Sequence, residues 1–133
     1  MIIADTNILT YLLLEGEMTA LAVKAMKQDP EWAAPALWRS EFLNVLAGRI
    51  RRSGLPAPEA VRIFARAESI IAHREFASIP ERVLRLVAAS PCTAYDCEYV
   101  ALAEDIRSPL VTTDAQILKA FPRIAVSLEK FTA

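Results

Sequence analysis

The chain has 133 residues, 54% of them hydrophobic, and sets 15 lysines and arginines against 16 aspartates and glutamates, for a formal charge of −1. This composition excludes intrinsic disorder, and a chain of this size buries roughly two thirds of the surface its unfolded form exposes, so its core needs neither disulfides nor structural zinc. The balanced charge also excludes a protein that holds nucleic acid by bulk positive charge alone, while leaving room for a local basic surface.

In chain order, Met1 to Ala4 is a short apolar run that meets a polar Asp5 and predicts a strand. Ile8, Leu9, Leu12 and Leu13 follow at helical spacing, giving a helix as far as Leu14. This opening stretch is apolar enough for a secretion signal, but it has no basic leader and is interrupted by Asp5 and Asn7, so it reads as folded structure. Met18 to Gln28 is a second helix, stopped before Pro30, and Trp32 to Pro35 is a brief extended segment. Leu37 to Arg52 is an amphipathic helix that Ser53-Gly54 terminates. Pro58 to His73 forms another, apolar on more than one side through Val61, Ile63, Phe64, Ala67, Ile70 and Ile71, which predicts cover from the core and from a partner. Phe76 to Ile79 reads as a third strand, Pro80 to Ala89 as a short helix and Thr93 to Glu104 as a longer one. Leu110 to Thr113 is a β-branched strand, a short helix runs through Leu118, and Ile124 to Val126 is a last strand.

No repeat or linker divides the chain, so residues 1–133 form a single domain. Alternating short strands and helices predict an α/β fold with a small parallel sheet covered on both faces. No apolar run approaches the ~18 residues of a membrane-spanning helix, and the expected location is cytoplasmic. Cys92 and Cys97 read as small buried apolar residues, and with the single His73 they cannot furnish the usual four-ligand zinc site. His73 is expected at the surface or as a cap near a helix end.

Four acids stand where chemistry is expected. Asp5 and Asp114 each follow a predicted strand and precede a predicted helix, the position that faces the ligand crevice of an open parallel sheet. Glu41 and Asp96 lie in the first turns of their helices. Each acid also has a purely structural use, because carboxylates at helix starts bind free N–H groups, and Thr93 to Asp96 matches a capping box. Caps have no need to converge, however. Two carboxylates ~4 Å apart repel by about 4 kcal/mol at an effective dielectric near 20, so a converging set implies a bound cation. Ligation by carboxylate oxygen, without His or Cys, suits one or two Mg²⁺ or Mn²⁺ ions.

The segments Met1-Ile2-Ile3-Ala4-Asp5-Thr6-Asn7-Ile8-Leu9, Ser40-Glu41-Phe42-Leu43-Asn44-Val45-Leu46, Ala94-Tyr95-Asp96-Cys97-Glu98-Tyr99-Val100-Ala101-Leu102-Ala103-Glu104 and Leu110-Val111-Thr112-Thr113-Asp114 together resemble the PIN domain of VapC-type toxins across the whole chain. The resemblance implies a three-layer α/β/α sandwich and a metal-dependent endoribonuclease, the toxin of a toxin–antitoxin pair. It carries the catalytic and metal-binding roles to Asp5, Glu41, Asp96 and Asp114, and supporting polar roles to Asn7 and Thr112. Asn7 also reads as a helix cap and Thr112 as an ordinary strand residue. The implied partners are RNA, a cognate antitoxin and a second copy of the chain.

RNA approaching an acidic mouth needs cations around it. Residues 39–85 hold nine arginines against five glutamates, a local balance of +4 that leaves −5 for the remainder. Arg49, Arg51 and Arg52 are the leading candidates for flanking phosphates. Apolar positions beyond those the core needs, among Met18, Leu21, Met26 and Phe64, are candidates for a groove that receives an antitoxin helix. The rival reading is a non-enzymatic interaction module of the same fold, in which the acids are only caps.

Overall fold

A computed structural model describes residues 1–133. Five parallel strands, β1 (Ile2–Ala4), β2 (Trp32–Pro35), β3 (Glu75–Phe76), β4 (Leu110–Thr112) and β5 (Ala125–Ser127), lie in the order β3-β2-β1-β4-β5. Eight helices surround them: α1 (Thr6–Leu13), α2 (Thr19–Gln28), α3 (Trp38–Ser53), α4 (Ala57–Ile71), α5 (Pro80–Ala88), α6 (Ala94–Ile106), α7 (Ala115–Ala120) and α8 (Leu128–Thr132). The central strands are buried at every position, which is why they read as unbroken apolar runs rather than alternating ones.

The chain steps outward from β1 to β2 and β3, returns across β1 to β4, and ends the sheet at β5. Right-handed crossovers put the helices of the outward and return paths on opposite faces. Accordingly α1 packs with α3 and α4, while α6 packs with α5 and lies against β1, β2 and β4. The three-layer sandwich follows. The reversal of direction opens a crevice at the carboxyl ends of β1 and β4, which are paired with Ala4 beside Val111.

The expected elements are present, with ends displaced by up to three residues, and each displacement has a local cause. Helix α1 begins at Thr6 rather than Ile8 because Asp5 caps it, and polar first-turn residues do not register in an apolar period. Asn7, read as a possible cap, is therefore inside the helix and exposed. Helix α3 stops where Gly54 takes the left-handed conformation at φ 68°. Helix α4 stops at Ile71 because Ala72 turns to φ 39°, and His73 sits exposed on the 3₁₀ turn that follows. Strand β3 is only two residues long, and the Ala36 N–H just past β2 makes a further bond to its Phe76 carbonyl at 3.1 Å. Helix α8, capped by Ser127, was not expected from the sequence. Cys92 immediately precedes the Thr93 cap of α6, Cys97 lies within that helix, and both thiols are free and buried, as expected.

The core that fixes the crevice is aromatic on the α3 side. Trp38 stacks on Phe64 of α4 at 5.4 Å, and Trp38, Phe42 and Tyr99 are almost fully buried. Trp38 Nε1 and Arg39 Nε both donate to Glu75 Oε1, at 2.7 Å each, which ties the start of α3 to β3. This bracket sets where the first turn of α3, with Glu41, enters the crevice.

Candidate active site

Asp5 is the residue that β1 delivers to the switch point, and both of its oxygens are engaged. Oδ1 accepts from the Thr6 backbone N–H at 2.7 Å, and Oδ2 accepts from the Thr112 hydroxyl, also at 2.7 Å. Thr112, the buried last residue of β4, accepts in turn from the Asp114 N–H at 3.0 Å, so one hydroxyl links the two strand ends. Asp114 then caps α7, its Oδ1 accepting from Gln116 N at 2.8 Å and Ile117 N at 3.1 Å. Tyr11 and Thr113 share a further hydroxyl contact at 3.1 Å between α1 and the β4 end.

Glu41 enters from α3. Its Oε1 accepts from the Thr6 hydroxyl at 2.8 Å and from the Tyr99 phenol at 2.7 Å, and those two hydroxyls stand 2.7 Å apart. Thr6 thus touches both neighbouring carboxylates, Asp5 through its backbone and Glu41 through its side chain. Asp96 stands one turn before Tyr99 on α6 and closes a capping box: its N–H donates to Thr93 Oγ1 at 3.1 Å while its Oδ2 accepts from the Thr93 N–H.

Electrostatically this edge of the sheet is uncompensated. None of Asp5, Glu41, Asp96 or Asp114 takes part in an ion pair. Burial raises the Asp5 carboxyl from its ordinary value of 3.8 to about 6, and the charges of Glu41 and Asp114 push the same way, against the hydrogen bonds from Thr112 and Thr6. Burial, and then the Glu41 charge, also lifts the Tyr99 phenol far above its usual range, so it remains a hydrogen-bond donor at every working pH. Burial likewise raises the thiols of Cys92 and Cys97, which keeps them protonated.

Asp5, Glu41, Thr112 and Asp114 are thus linked through Thr6, Thr112 and the paired strand ends, while Asp96 stands on α6 one turn before Tyr99 and contacts only its own cap, Thr93. No group of three or more His, Cys, Asp or Glu side chains is arranged to hold an ion directly. Like charges with nothing between them spread apart, and each acid here is turned by its own local hydrogen bonds. The exposed Asn7 side chain makes no hydrogen bond to the protein.

The arginines are distributed differently from the simple expectation of a basic rim. Arg39, Arg82 and Arg85 are spent in ion pairs, and Arg74 donates to the Trp32 and Ile70 carbonyls. Arg49, Arg51, Arg52, Arg62 and Arg66 form no ion pair and lie on α3 and α4. At 1.5 Å per residue, the first three stand roughly 12–16 Å beyond Glu41 along α3. Arg52 lies back along the helix: a Cβ at Gly48 would collide with its guanidinium, and this glycine leaves it room. Between α3 and α4, Leu43, Ile50, Val61 and Phe64 line an apolar trough of about 390 Å³. Met18, Leu21 and Met26 pack partly buried against the core.

Thr6 and Tyr99 are the residues that sequence reasoning did not single out. The available signal was a tyrosine one turn after Asp96 on an otherwise apolar helix, since a buried phenol must find a partner.

Fold and crevice together define a small doubly wound α/β domain with an acidic edge at the point where its strand order reverses. The chain belongs to the PIN domain family, whose model matches residues 2–125. It is 28% identical over 127 residues to Ribonuclease VapC3 of Pyrobaculum aerophilum, covering 92% of this chain and 96% of that one. Among solved structures, a crystal structure from Pyrobaculum aerophilum superposes with a TM-score of 0.77 at 24% identity, covering 98% of this chain and 92% of that chain. A toxin–antitoxin complex from Klebsiella pneumoniae gives 0.69 at 21% identity, covering 96% of this chain and 98% of that one. At these identities the two structures establish the shared fold.

Proposed function

We propose that this protein is a divalent-metal-dependent endoribonuclease of the VapC type, the toxin of a toxin–antitoxin pair. The observation that carries the reading is the set of acids at the switch point: buried or half-buried and free of ion pairs, with Asp5 raised to about 6 by burial first and by the charges of Glu41 and Asp114 after it. A crevice built this way favours a cation, and its all-carboxylate donor set suits a hard one. An ion that keeps several of its waters, as Mg²⁺ does, needs few direct protein ligands. Such an ion, when bound, supplies an activated water and offsets the charge that grows on the scissile phosphate.

In this reading Asp5, Asp96 and Asp114 hold the ion, and Glu41 holds a second one or takes a proton from the opposite wall. Thr112 keeps Asp5 oriented, and Asn7, exposed on the first turn of α1, faces substrate. The distance of Arg49, Arg51 and Arg52 from Glu41 along α3 assigns them to phosphates flanking the cleaved bond. The protein has no serine, cysteine or histidine arrangement to act as a nucleophile; both thiols are buried and kept protonated. The name of the Pyrobaculum aerophilum relative supports ribonuclease activity, and the Klebsiella pneumoniae complex supports an antitoxin partner. A homodimer and a cytoplasmic location complete the proposal. No helix of the chain is long and apolar enough to cross a membrane.

The test is RNA cleavage by purified protein with Mn²⁺, with EDTA, and with Asp5→Ala, together with mapping of RNA ends in cells expressing each form. Mn²⁺-dependent new ends that vanish with EDTA and with Asp5→Ala are expected. Identical end maps and equal growth arrest from both forms would show that the acids are caps and the domain an interaction module.

A further inference from the structure

We propose that Thr6 and Tyr99 are positioning residues for Glu41, a hydroxyl pair that clamps one oxygen of its carboxylate and so fixes the separation between the acids of α1, α3 and α6. The proposal deepens the nuclease reading and rests on it. Glu41 is carried by a long side chain on the first turn of a helix, with no ion pair and no backbone N–H to restrain it. A glutamate of that kind samples many rotamers, and confining it costs side-chain entropy. The confinement comes from the two hydroxyls, at 2.8 and 2.7 Å, which converge on Oε1 and leave Oε2 without a protein partner.

The two donors are rigid in ways that suit the task. Tyr99 is 2% exposed, has only two side-chain torsions, and is embedded in the apolar face of α6. Thr6 is β-branched and sits in the first turn of α1, where its backbone N–H already binds Asp5. The clamp therefore spans three helices. Thr6 connects Glu41 to Asp5 through one residue, and Tyr99 connects it to Asp96 through one turn of α6. Three oxygens lie in mutual contact but only two hydroxyl protons serve them, so both protons are committed within the ring and neither is offered to the crevice. A purely structural hydroxyl pair would satisfy each other; this pair is drawn onto a carboxylate that no other group holds.

The experiment compares wild type with Tyr99→Phe, Thr6→Val and the double variant, each alone and in a Glu41→Gln background. The readouts are Mn²⁺ affinity by electron paramagnetic resonance, kcat and KM on RNA, thermal stability, and the crystal structure of the double variant. Loss of a group that orients a metal ligand costs about 10–100-fold in affinity or activity. Tyr99→Phe is expected to lower Mn²⁺ affinity or kcat by that factor with KM for RNA unchanged, and to have less than a twofold effect once Glu41 is Gln. In the double-variant crystal structure Glu41 is expected to leave its place. Glu41 unmoved there, or Mn²⁺ affinity and kcat within twofold of wild type, would overturn the proposal. So would a Tyr99→Phe effect of equal size in the Glu41→Gln background, which marks a general structural loss. If wild type neither binds Mn²⁺ nor cleaves RNA, the nuclease reading falls instead, and the position of Glu41 in the double variant still decides the clamp.

Discussion

Replacing Asp5 by asparagine should stabilise the metal-free protein at neutral pH, an unusual outcome for a buried residue with a full set of hydrogen bonds. The Asp5 carboxyl rises from 3.8 to about 6 on folding, a shift of about two units, or about 3 kcal/mol at 1.36 kcal/mol per unit. Between those values the native state holds a proton that the unfolded chain has released. Stability therefore falls as pH rises from about 4 through about 6, and the full cost is present at pH 7. Asparagine removes the charge and keeps Oδ1 for the Thr6 N–H. Its amide must face the Thr112 hydroxyl, which now donates to Oδ2 and would lose that acceptor, at a cost of about 1 kcal/mol. The net gain is about 2 kcal/mol at pH 7.5 and turns into a deficit of about 1 kcal/mol near pH 4, where wild type is itself protonated and only the lost Thr112 bond still counts. Urea denaturation in EDTA from pH 4 to 8, on both proteins, measures the difference directly. A deficit for Asp5→Asn at pH 7.5 that does not change down to pH 4 would refute the claim that burial and like charge, rather than packing, set the energetics of this position.

Other expectations follow from the same geometry. Thr112→Val leaves Asp5 Oδ2 buried without a donor and removes the acceptor for the Asp114 N–H; it should cost about 2–3 kcal/mol at pH 7, less at pH 4, by the same urea series. Asp96→Asn keeps a side chain able to cap α6, so it should change stability by less than about 1 kcal/mol while abolishing Mn²⁺-dependent RNA cleavage; thermal melting and a cleavage assay separate the two effects. Ala72→Gly should raise stability by about 1 kcal/mol in a denaturation curve, because Ala72 holds φ 39° where a Cβ is strained. Adding Mn²⁺ at 100 times its dissociation constant should stabilise wild type by about 2.7 kcal/mol and leave Asp5→Asn nearly unmoved, as seen in paired melting curves.

The parts of this fold that read clearly in the sequence are those governed by local chemistry. The apolar run of β1 ending on Asp5, the Ser53-Gly54 stop of α3 and the Thr93–Asp96 capping box each signal themselves within a few residues. That Asp5 and Asp114 stand at neighbouring strand ends was also legible, because strand-to-helix junctions of a parallel sheet all fall at carboxyl ends. What stayed hidden was set by tertiary contact. The two-residue β3 is defined by its pairing with β2, and α8 depends on the Ser127 cap and on packing against α2. The bonds of Thr6 and Tyr99 to Glu41 join positions 35 and 58 residues apart in the chain, a relation no periodicity carries. Likewise the +4 balance of residues 39–85 gave no hint that Arg39, Arg82 and Arg85 are neutralised by partners, leaving the free cations on α3 and α4.

The sequence poses capping and ligand binding as alternatives for each acid, and the structure dissolves that opposition. A carboxylate has two oxygens, and a cap needs one. Asp114 gives Oδ1 to the amides of α7, Asp96 gives Oδ2 to the Thr93 N–H, and Glu41 gives Oε1 to two hydroxyls, leaving one oxygen of each without a protein partner. The capping bond is what makes the second oxygen useful, because it removes the rotational freedom a ligand would otherwise have to confine. It also lowers the cost of gathering negative charge, since the amides at a helix start carry partial positive charge aimed at the bound oxygen. Asp5 is the exception, with both oxygens hydrogen-bonded and the greatest burial of the four, and it is the one whose pKa is pushed up. The fold can therefore hold three half-buried acids on the strength of local hydrogen bonds, whereas ionising the fourth at neutral pH costs stability that a positive charge from outside the chain would offset. Asp5 is accordingly where the stability of the empty domain and the affinity for a cation are most directly opposed, and the two must move in opposite directions when that residue is changed.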